Sequence, residues 1–470
     1  MKEWHGEDYI VDSQIQEAIL TAENRGNDQY YIRELISKAR ECHGLTYREG
    51  AVLLSIKDQD LLAEMLQAAR EIKESIYGKR IVLFAPLYVS NYCINNCRYC
   101  GYKRSNHNLV RRRLSQEELK KEIEILEEMG HKRIALEAGE DPVNCGLDYI
   151  IDCINTIYSL KFKNGSIRRI NVNIAATTVE EYRRLREAEI GTYVLFQETY
   201  HRPTYEDLHP SGPKSDYNWH TTAMDRARAA GIDDVGIGVL YGLYDYRYET
   251  IAMLMHSEHL DRDTGVGPHT ISVPRIRAAE GVSLQEYPYL VSDEDFVKII
   301  AVLRLAVPYT GMILSTREKP HFRDQVIATG ISQISAGSCT GVGGYAEQEK
   351  LELREKSQFE VEDHRSPSQI LQSLCEGGYI PSYCTACYRA GRTGERFMEF
   401  AKNGEIHNYC LPNAVLTFAE YLLDYGDEKL RQVGQKTIET ALQDIPNPKV
   451  QQATRGKLEL IQAGQRDFRF

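Results

Sequence analysis

At 470 residues the chain can bury at least one large core, and its formal charge of −11 with a pI near 5.7 lacks the basic excess of a nucleic-acid surface. No run comes near the roughly 18 apolar residues of a membrane helix, and the polar start from Met1 to Asp8 is unlike a secretory leader. A cytoplasmic protein acting on small molecules is expected, with neither a membrane nor a nucleic acid as partner. There thiols stay reduced, and an odd eleven cysteines read as metal ligands or buried apolar groups rather than disulfides.

Residues 1–80 read as a helical preface. Tyr30 to Arg40 is amphipathic, and Asp58 to Ile76 sets Leu61, Leu62, Met65, Leu66, Ala69, Ile72 and Ile76 at helical spacing. Thr46-Tyr47-Arg48-Glu49 has the form of a capping box before a helix near Ala51 to Ser55. From residue 81 to 342, short apolar strands alternate with charged helices. The predicted strands are Ile81 to Val89, Arg133 to Glu137, Arg169 to Ala175, Thr192 to Gln197, Asp234 to Leu240, His269 to Pro274, Thr310 to Leu314 and Ile331 to Ser335. Predicted helices include one opened by Ser115 to Glu118, one over Leu147 to Leu160, one opened by Thr178 to Glu181, and others over Tyr217 to Ala230, Asp293 to Val307 and His321 to Thr329. Eight such repeats imply an α/β chain with a parallel sheet closed as a (β/α)8 TIM-type barrel, whose active site lies at the C-terminal strand ends. Residues 343–470 form a third, mainly helical region, entered through a polar stretch from Gly343 to Pro367 that reads as a linker or mobile loop.

Two cysteine constellations carry the chemistry. Cys93, Cys97 and Cys100 lie in one loop after the first strand, spaced C-x3-C-x2-C. Three thiolates can hold a cubic 4Fe-4S cluster and leave one iron open to an outside molecule, whereas a structural site is normally closed by a fourth protein ligand. A closed zinc or cluster site with a ligand from elsewhere is the alternative. Cys384 and Cys387 form a C-x2-C turn, and Cys410 follows 22 residues later. They suit a second iron-sulfur cluster, with zinc as the alternative because His407 lies three residues before Cys410. Cys42, Cys145, Cys153, Cys339 and Cys375 stand apart and read as buried small apolar residues.

The first triad, with Tyr99 just before its third cysteine, resembles the signature of the radical S-adenosylmethionine (SAM) enzymes. The segments APLYVSNYCINNCRYCGY, EAGEDP, NVNIAATT, VLFQETYHRPTYEDLHP, GPHTISVPR, STRE, QISAGSCTGVGG and PSYCTACYRAGRTGERFM make that resemblance specific. They are similar to the aromatic amino acid lyase branch, and within it to the tyrosine lyases of FeFe-hydrogenase maturation. The relatives that make 2-iminoacetate for thiamine synthesis lack the C-terminal triad.

The resemblance implies SAM chelated at the first cluster and a 5′-deoxyadenosyl radical that acts on L-tyrosine. It implies p-cresol and dehydroglycine as products, with dehydroglycine converted to carbon monoxide and cyanide at the second cluster. There a labile iron, bridged by an amino acid such as free cysteine, leaves as an iron-carbonyl-cyanide synthon. An electron donor such as ferredoxin or flavodoxin and other hydrogenase maturation proteins are the implied partners. For SAM, the loop Glu137, Gly139, Glu140 offers acceptors to the amino group, Glu198 suits the ribose, and Tyr99 and Tyr102 can flank the adenine. The substrate carboxylate calls for an arginine fork. Arg317 is assigned to tyrosine and Arg275 to SAM or a loop ion pair, with hydroxyl contacts from Ser335 and Ser338. His269 is preferred to His256 and His259 as the labile-iron ligand, although its place at the start of a strand argues against the catalytic mouth.

A continuous internal channel between the two clusters is expected. Two other readings stay open: a non-catalytic iron-sulfur scaffold with both triads closed, and a radical SAM enzyme with another outcome, either free 2-iminoacetate or sulfur insertion.

Overall fold

The computed structural model describes residues 3–347, 357–402 and 405–470. Its centre is eight parallel strands: β1 (Arg80–Ser90), β2 (Arg133–Ala138), β3 (Arg169–Asn173), β4 (Tyr193–Val194), β5 (Val235–Gly238), β6 (Thr270–Ser272), β7 (Gly311–Leu314) and β8 (Gln333–Ser335). They pair in chain order, and β1 closes the ring by pairing with both β8 and β2. This is the TIM-type barrel that the alternation of strands and helices predicts.

Local sequence explains most of the helices around it. The capping boxes of Thr46 with Glu49, Ser115 with Glu118 and Thr178 with Glu181 all form, each satisfying donors at a helix start. The helix Gln59–Tyr77 buries Leu61, Leu62, Met65, Ala69, Ile72 and Ile76 and lies along the helix Asp293–Ala306, which fixes the N-terminal segment to the barrel wall.

The structure departs from the sequence reading chiefly in four places. Helices Asp12–Arg25 and Tyr246–Thr264 are absent from that reading. The second is buried on nearly every side, from Tyr248 and Ile251 to His256 and Leu260, so it lacks the polar face that periodicity detects. The helix expected from Tyr217 to Ala230 is two, Tyr217–Thr221 and Ala223–Ala229. They part at Thr222, whose hydroxyl donates back to the Asn218 carbonyl at 2.7 Å.

The stretch read as a linker is fastened at both described flanks, residues 348–356 within it lying outside the described residues. The Tyr345 hydroxyl donates to the Pro86 carbonyl at 2.7 Å, and Asp363 pairs with Arg323 at 2.8 Å with both side chains fully buried. Removing one partner of such a pair costs about 3–5 kcal/mol.

The fourth departure is a ninth strand, β9 (Ile380–Ser382), which adds to the sheet in parallel beside β1. Val82 pairs with Gln333 of β8 and with Ser382, so β9 occupies the edge of β1 opposite β8. β2 uses that same edge only from Ala85 onward. The long first strand thus projects below the ring and carries β9, and with it Cys384, to the N-terminal end of the barrel. No helix among the described residues is long and apolar enough to cross a membrane.

Candidate active site

At the C-terminal end of the strands, the loop after β1 brings Cys93, Cys97 and Cys100 to the rim of a cavity of about 220 Å³ that reaches down to Phe84, Ala135 and Ile313. The loop is held from several sides. Ile94 N–H donates to the Glu140 carbonyl at 2.8 Å, Arg98 N–H to the Leu208 carbonyl at 3.0 Å, and Gly101 N–H to the Gln358 carbonyl at 3.1 Å. The Tyr102 amide donates to the Cys100 sulfur at 3.4 Å. Burial pushes the Cys97 thiol far up and the Cys100 thiol to about 11, so a bound cation must supply the charge that keeps them as thiolates.

The acidic loop after β2 touches this loop directly. A Cβ on Gly139 would stand 2.3 Å from the Tyr92 carbonyl oxygen and 3.1 Å from the Cys93 Cβ, so the approach requires glycine. Glu140 accepts from Asn95 Nδ2 at 2.5 Å, and burial raises its pKa. Glu137 lines the cavity beneath; burial lifts its carboxyl to about 8 against the pull of Arg317 and Asn173. Glu198, with φ of 69°, stands in the left-handed region and pairs with Lys214 at 2.8 Å. Burial pulls the Lys214 ammonium down, but Glu198 and Cys97 outweigh it and hold it above its ordinary range. Tyr99 and Tyr102 line the cavity, their hydroxyls tied to His209 Nε2 at 2.7 Å and the Thr340 carbonyl at 2.8 Å.

Arg317 also lines the cavity, its guanidinium 3.3 Å from the centre of the Phe359 ring and in no ion pair among the described residues. Burial brings it down to about 10. An unpaired, desolvated guanidinium facing a cavity suits a carboxylate. Ser335 and Ser338 lie on the same wall, and the Ser338 hydroxyl is buried without a partner. Arg275 does not reach the cavity, which corrects its assignment to SAM. It pairs with Glu318 and with Asp293 at 2.8 Å and stacks near Phe296 and Phe322, so of its two expected roles the loop ion pair is the one it fills.

Lys214, Asn173, His220, Gln358 and Phe359 also line the cavity, and of these only Asn173, in NVNIAATT, falls in a segment that stands out in the sequence. Gln358 and Phe359 lie in the polar stretch with no periodic signal, and only the proximity of GPK to the segment after β4 marks Lys214.

At the opposite end of the barrel, Cys384, Cys387 and Cys410 line a second cavity of about 50 Å³ together with Tyr77, Arg80, Arg133, His269, Gln333 and Tyr388. His269 directly precedes β6, at the N-terminal end of the strands. That position excludes it from the catalytic mouth and is what brings it to this triad. Its Nε2 meets the Tyr388 hydroxyl at 2.7 Å and its Nδ1 lies 3.3 Å from Asp234; burial lowers its pKa, favouring the neutral ring that a metal requires. His256 and His259 lie elsewhere, His259 bonded to Asp225 at 2.7 Å. The side chain of His407 lies outside the described residues.

Among the described residues, neither triad gathers its three sulfurs within 4.8 Å of one another. Tetrahedral zinc would set them about 3.8 Å apart. The three sulfurs of each triad are thus not spaced as tetrahedral zinc ligands. Burial raises Cys384 and takes Cys410 to about 12, and Arg80 is the counter-charge that opposes this most strongly.

A parallel barrel with a three-cysteine loop after its first strand, an acidic glycine loop after its second and an enclosed polar cavity between them defines a radical SAM enzyme. Residues 87–257 match the radical SAM superfamily and residues 272–380 the biotin and thiamin synthesis associated domain. The 2-iminoacetate synthase of Escherichia coli is 31% identical over 362 residues, 77% of this chain and 93% of that one. The crystal structure of HydG, a maturase of the [FeFe]-hydrogenase, is 63% identical with a TM-score of 0.95, covering 98% of this chain and all of the other. The HydG of Carboxydothermus hydrogenoformans is 40% identical with a TM-score of 0.83 over 97% of this chain and all of that one. The chain belongs to the HydG family of radical SAM enzymes.

Proposed function

We propose that the protein cleaves L-tyrosine between Cα and Cβ to p-cresol and dehydroglycine at the upper cavity, and that dehydroglycine becomes carbon monoxide and cyanide at the lower one. The second step is balanced without an oxidant: the dehydroglycine anion divides into carbon monoxide, cyanide and water. The products would equip an iron unit for the hydrogenase H-cluster. The observation that carries this reading is the second cysteine triad with His269 at the far end of the same barrel.

When bound, 4Fe-4S clusters on Cys93, Cys97 and Cys100 and on Cys384, Cys387 and Cys410 supply, respectively, the electron that cleaves SAM and the iron that collects the small ligands. The protein's own side chains do the rest. Glu137 and Glu140 face the SAM amino group across the Gly139 contact, Glu198 takes the ribose, and Tyr99 and Tyr102 flank the adenine. Arg317 holds the tyrosine carboxylate, with Ser335 and Ser338 beside it. Enclosure by Gln358 and Phe359 excludes water from a radical that would otherwise be quenched. His269 offers a neutral imidazole to a labile iron, with free cysteine as a bridging ligand. A ferredoxin or flavodoxin serves as donor, and other maturation proteins receive the product in the cytoplasm.

The test is anaerobic reconstitution with SAM, reductant and tyrosine, assaying p-cresol, cyanide and carbon monoxide in the wild type and in Cys384→Ser/Cys387→Ser. The wild type is expected to make all three, and the variant p-cresol alone. Free dehydroglycine as the wild-type end product would identify a 2-iminoacetate synthase instead. Absence of SAM-dependent p-cresol from protein with verified iron content refutes the substrate.

A further inference from the structure

The run from Asn96 to Leu114 carries six lysines and arginines and no aspartate or glutamate, in a chain whose acidic residues outnumber its basic ones by 68 to 57. The fold wraps this run around the first triad. Arg104 N–H donates to the Asn95 carbonyl at 2.7 Å, and Asn106 Nδ2 to the Gly101 carbonyl at 2.9 Å. The Arg111 guanidinium reaches the Asn91 and Tyr102 carbonyls at 2.7 and 2.8 Å, and Arg113 bridges to Ser90. Residues 103–113 are thus a single layer of chain laid over the cysteine loop.

The cations of this layer divide into two groups. Arg111 is committed to backbone carbonyls, and Arg112 to Glu118 and Glu347 at 2.7 and 2.9 Å. Arg98, Arg104 and Arg113 are exposed instead, and the last two form no ion pair among the described residues. Arg98 has the exposed Asp207 at 3.0 Å, in a pair that water and salt weaken. Balancing the triad does not require these three, because the cation that opposes burial at Cys97 and Cys100 is Lys214, in the cavity lining.

Exposed apolar groups lie beside the charge. Val110 is 69% exposed, and Val143, on the loop after β2, is 85% exposed. The two loops are tied where Arg113 Nη1 donates to the Asn144 carbonyl at 2.5 Å. Aliphatic residues with a charged rim make a small protein interface, and the unpaired cations steer an acidic partner to it. Neither residues 98–113 nor residues 141–144 expose a Phe, Tyr or Trp on which a flavin ring could stack.

We propose that Arg98, Arg104 and Arg113, around Val110 and Val143, form the docking surface for a small acidic iron-sulfur carrier, a ferredoxin, which reduces the enzyme at the first triad. The proposal rests on the reading above and locates its electron donor. At each encounter the carrier is oxidised by one electron and the enzyme reduced by one, and no atom changes hands. The carrier must leave after every electron, so the interface it needs is small and transient.

The test uses the reconstituted holoenzyme and a purified acidic ferredoxin. In titration calorimetry, binding of the oxidised ferredoxin should weaken about fivefold in Arg104→Glu and at least about tenfold in Arg98→Gln/Arg104→Glu, and the wild-type affinity should fall as salt is raised. Arg455→Glu, the same change of charge on the helix Pro448–Gln462, should leave the affinity unaltered. In turnover, formation of 5′-deoxyadenosine from SAM should need correspondingly more ferredoxin for its half-maximal rate in the two docking variants. Dithionite, which requires no docking surface, should drive Arg104→Glu at the wild-type rate. Ferredoxin affinity unchanged in both docking variants overturns the site, and so does an equal loss in Arg455→Glu. A flavodoxin that binds the wild type more tightly than the ferredoxin, with the same losses in the variants, overturns the choice of carrier. Absence of p-cresol from the dithionite-driven wild type sinks the tyrosine reading alone, because ferredoxin binding and SAM cleavage are read without it.

Discussion

Gly139→Ala probes the contact between the acidic loop and the cysteine loop. The added methyl would meet the Tyr92 carbonyl oxygen at 2.3 Å, a backbone atom that cannot rotate away. An ordinary carbon–oxygen contact of about 3.2 Å is restored only if the loops separate by about 0.9 Å, and overpacking of this kind costs about 1–3 kcal/mol. The Gly139 N–H bond to the Ser90 carbonyl, 3.1 Å long, would stretch with it. Misplacement by about 1 Å of groups that orient a reacting molecule can cost about a hundredfold in rate. The three cysteines are not displaced from one another, so iron loading at Cys93, Cys97 and Cys100 should persist. SAM affinity, measured anaerobically by equilibrium dialysis, should fall about 10- to 100-fold, a loss of roughly 1.4–2.8 kcal/mol. The rate of p-cresol formation should fall with it. Full iron content together with wild-type SAM affinity would refute the assignment of this loop to SAM.

Lys214→Met removes the partner of Glu198 and leaves a carboxylate in a largely buried site, a change that typically costs about 3–5 kcal/mol. SAM affinity should drop at least tenfold and thermal stability should fall; unaltered SAM binding would remove Glu198 and Lys214 from the cofactor site. Glu249 is a buried carboxyl lifted to about 8 by burial, and it accepts from the Thr199 hydroxyl and from Tyr200 N–H, the latter at 2.7 Å. Between the ordinary carboxylate range and pH 8 the native state keeps a proton that the unfolded chain has lost, so this group lowers stability as pH rises, by up to about 1.4 kcal/mol per pH unit. Glu249→Gln should remove that slope, so urea midpoints of variant and wild type at pH 6 and pH 8.5 should shift in the variant's favour at the higher pH. An identical difference at both values would show that the group does not titrate in this window.

Much of this is legible in the sequence because the relevant signals are local. Three capping boxes, alternating strands and two cysteine spacings each specify themselves within a few residues. What escapes a sequence reading depends on distant partners. The helix Tyr246–Thr264 lacks a polar face because neighbours cover it all round. The strand Ile380–Ser382 has three residues, one of them proline, and is tolerated because it lies at an edge where β1 overhangs β2. Arg275 and Arg317 follow consecutive strands and look equivalent in sequence. Glu318, the residue after Arg317, decides between them by pairing with Arg275 and leaving Arg317 to the cavity.

The placement of the second triad beside His269 turns on the same overhang. Strand β1 runs from Arg80 to Ser90, about 33 Å at the usual rise per residue. Its C-terminal end launches the first triad, and its N-terminal end pairs with the strand that launches the second, so one rigid element sets the distance between the two sites. Groups so fixed cannot meet by domain closure. On the proposed two-site reading, a molecule made at one site has that fixed distance to cover before it is used at the other.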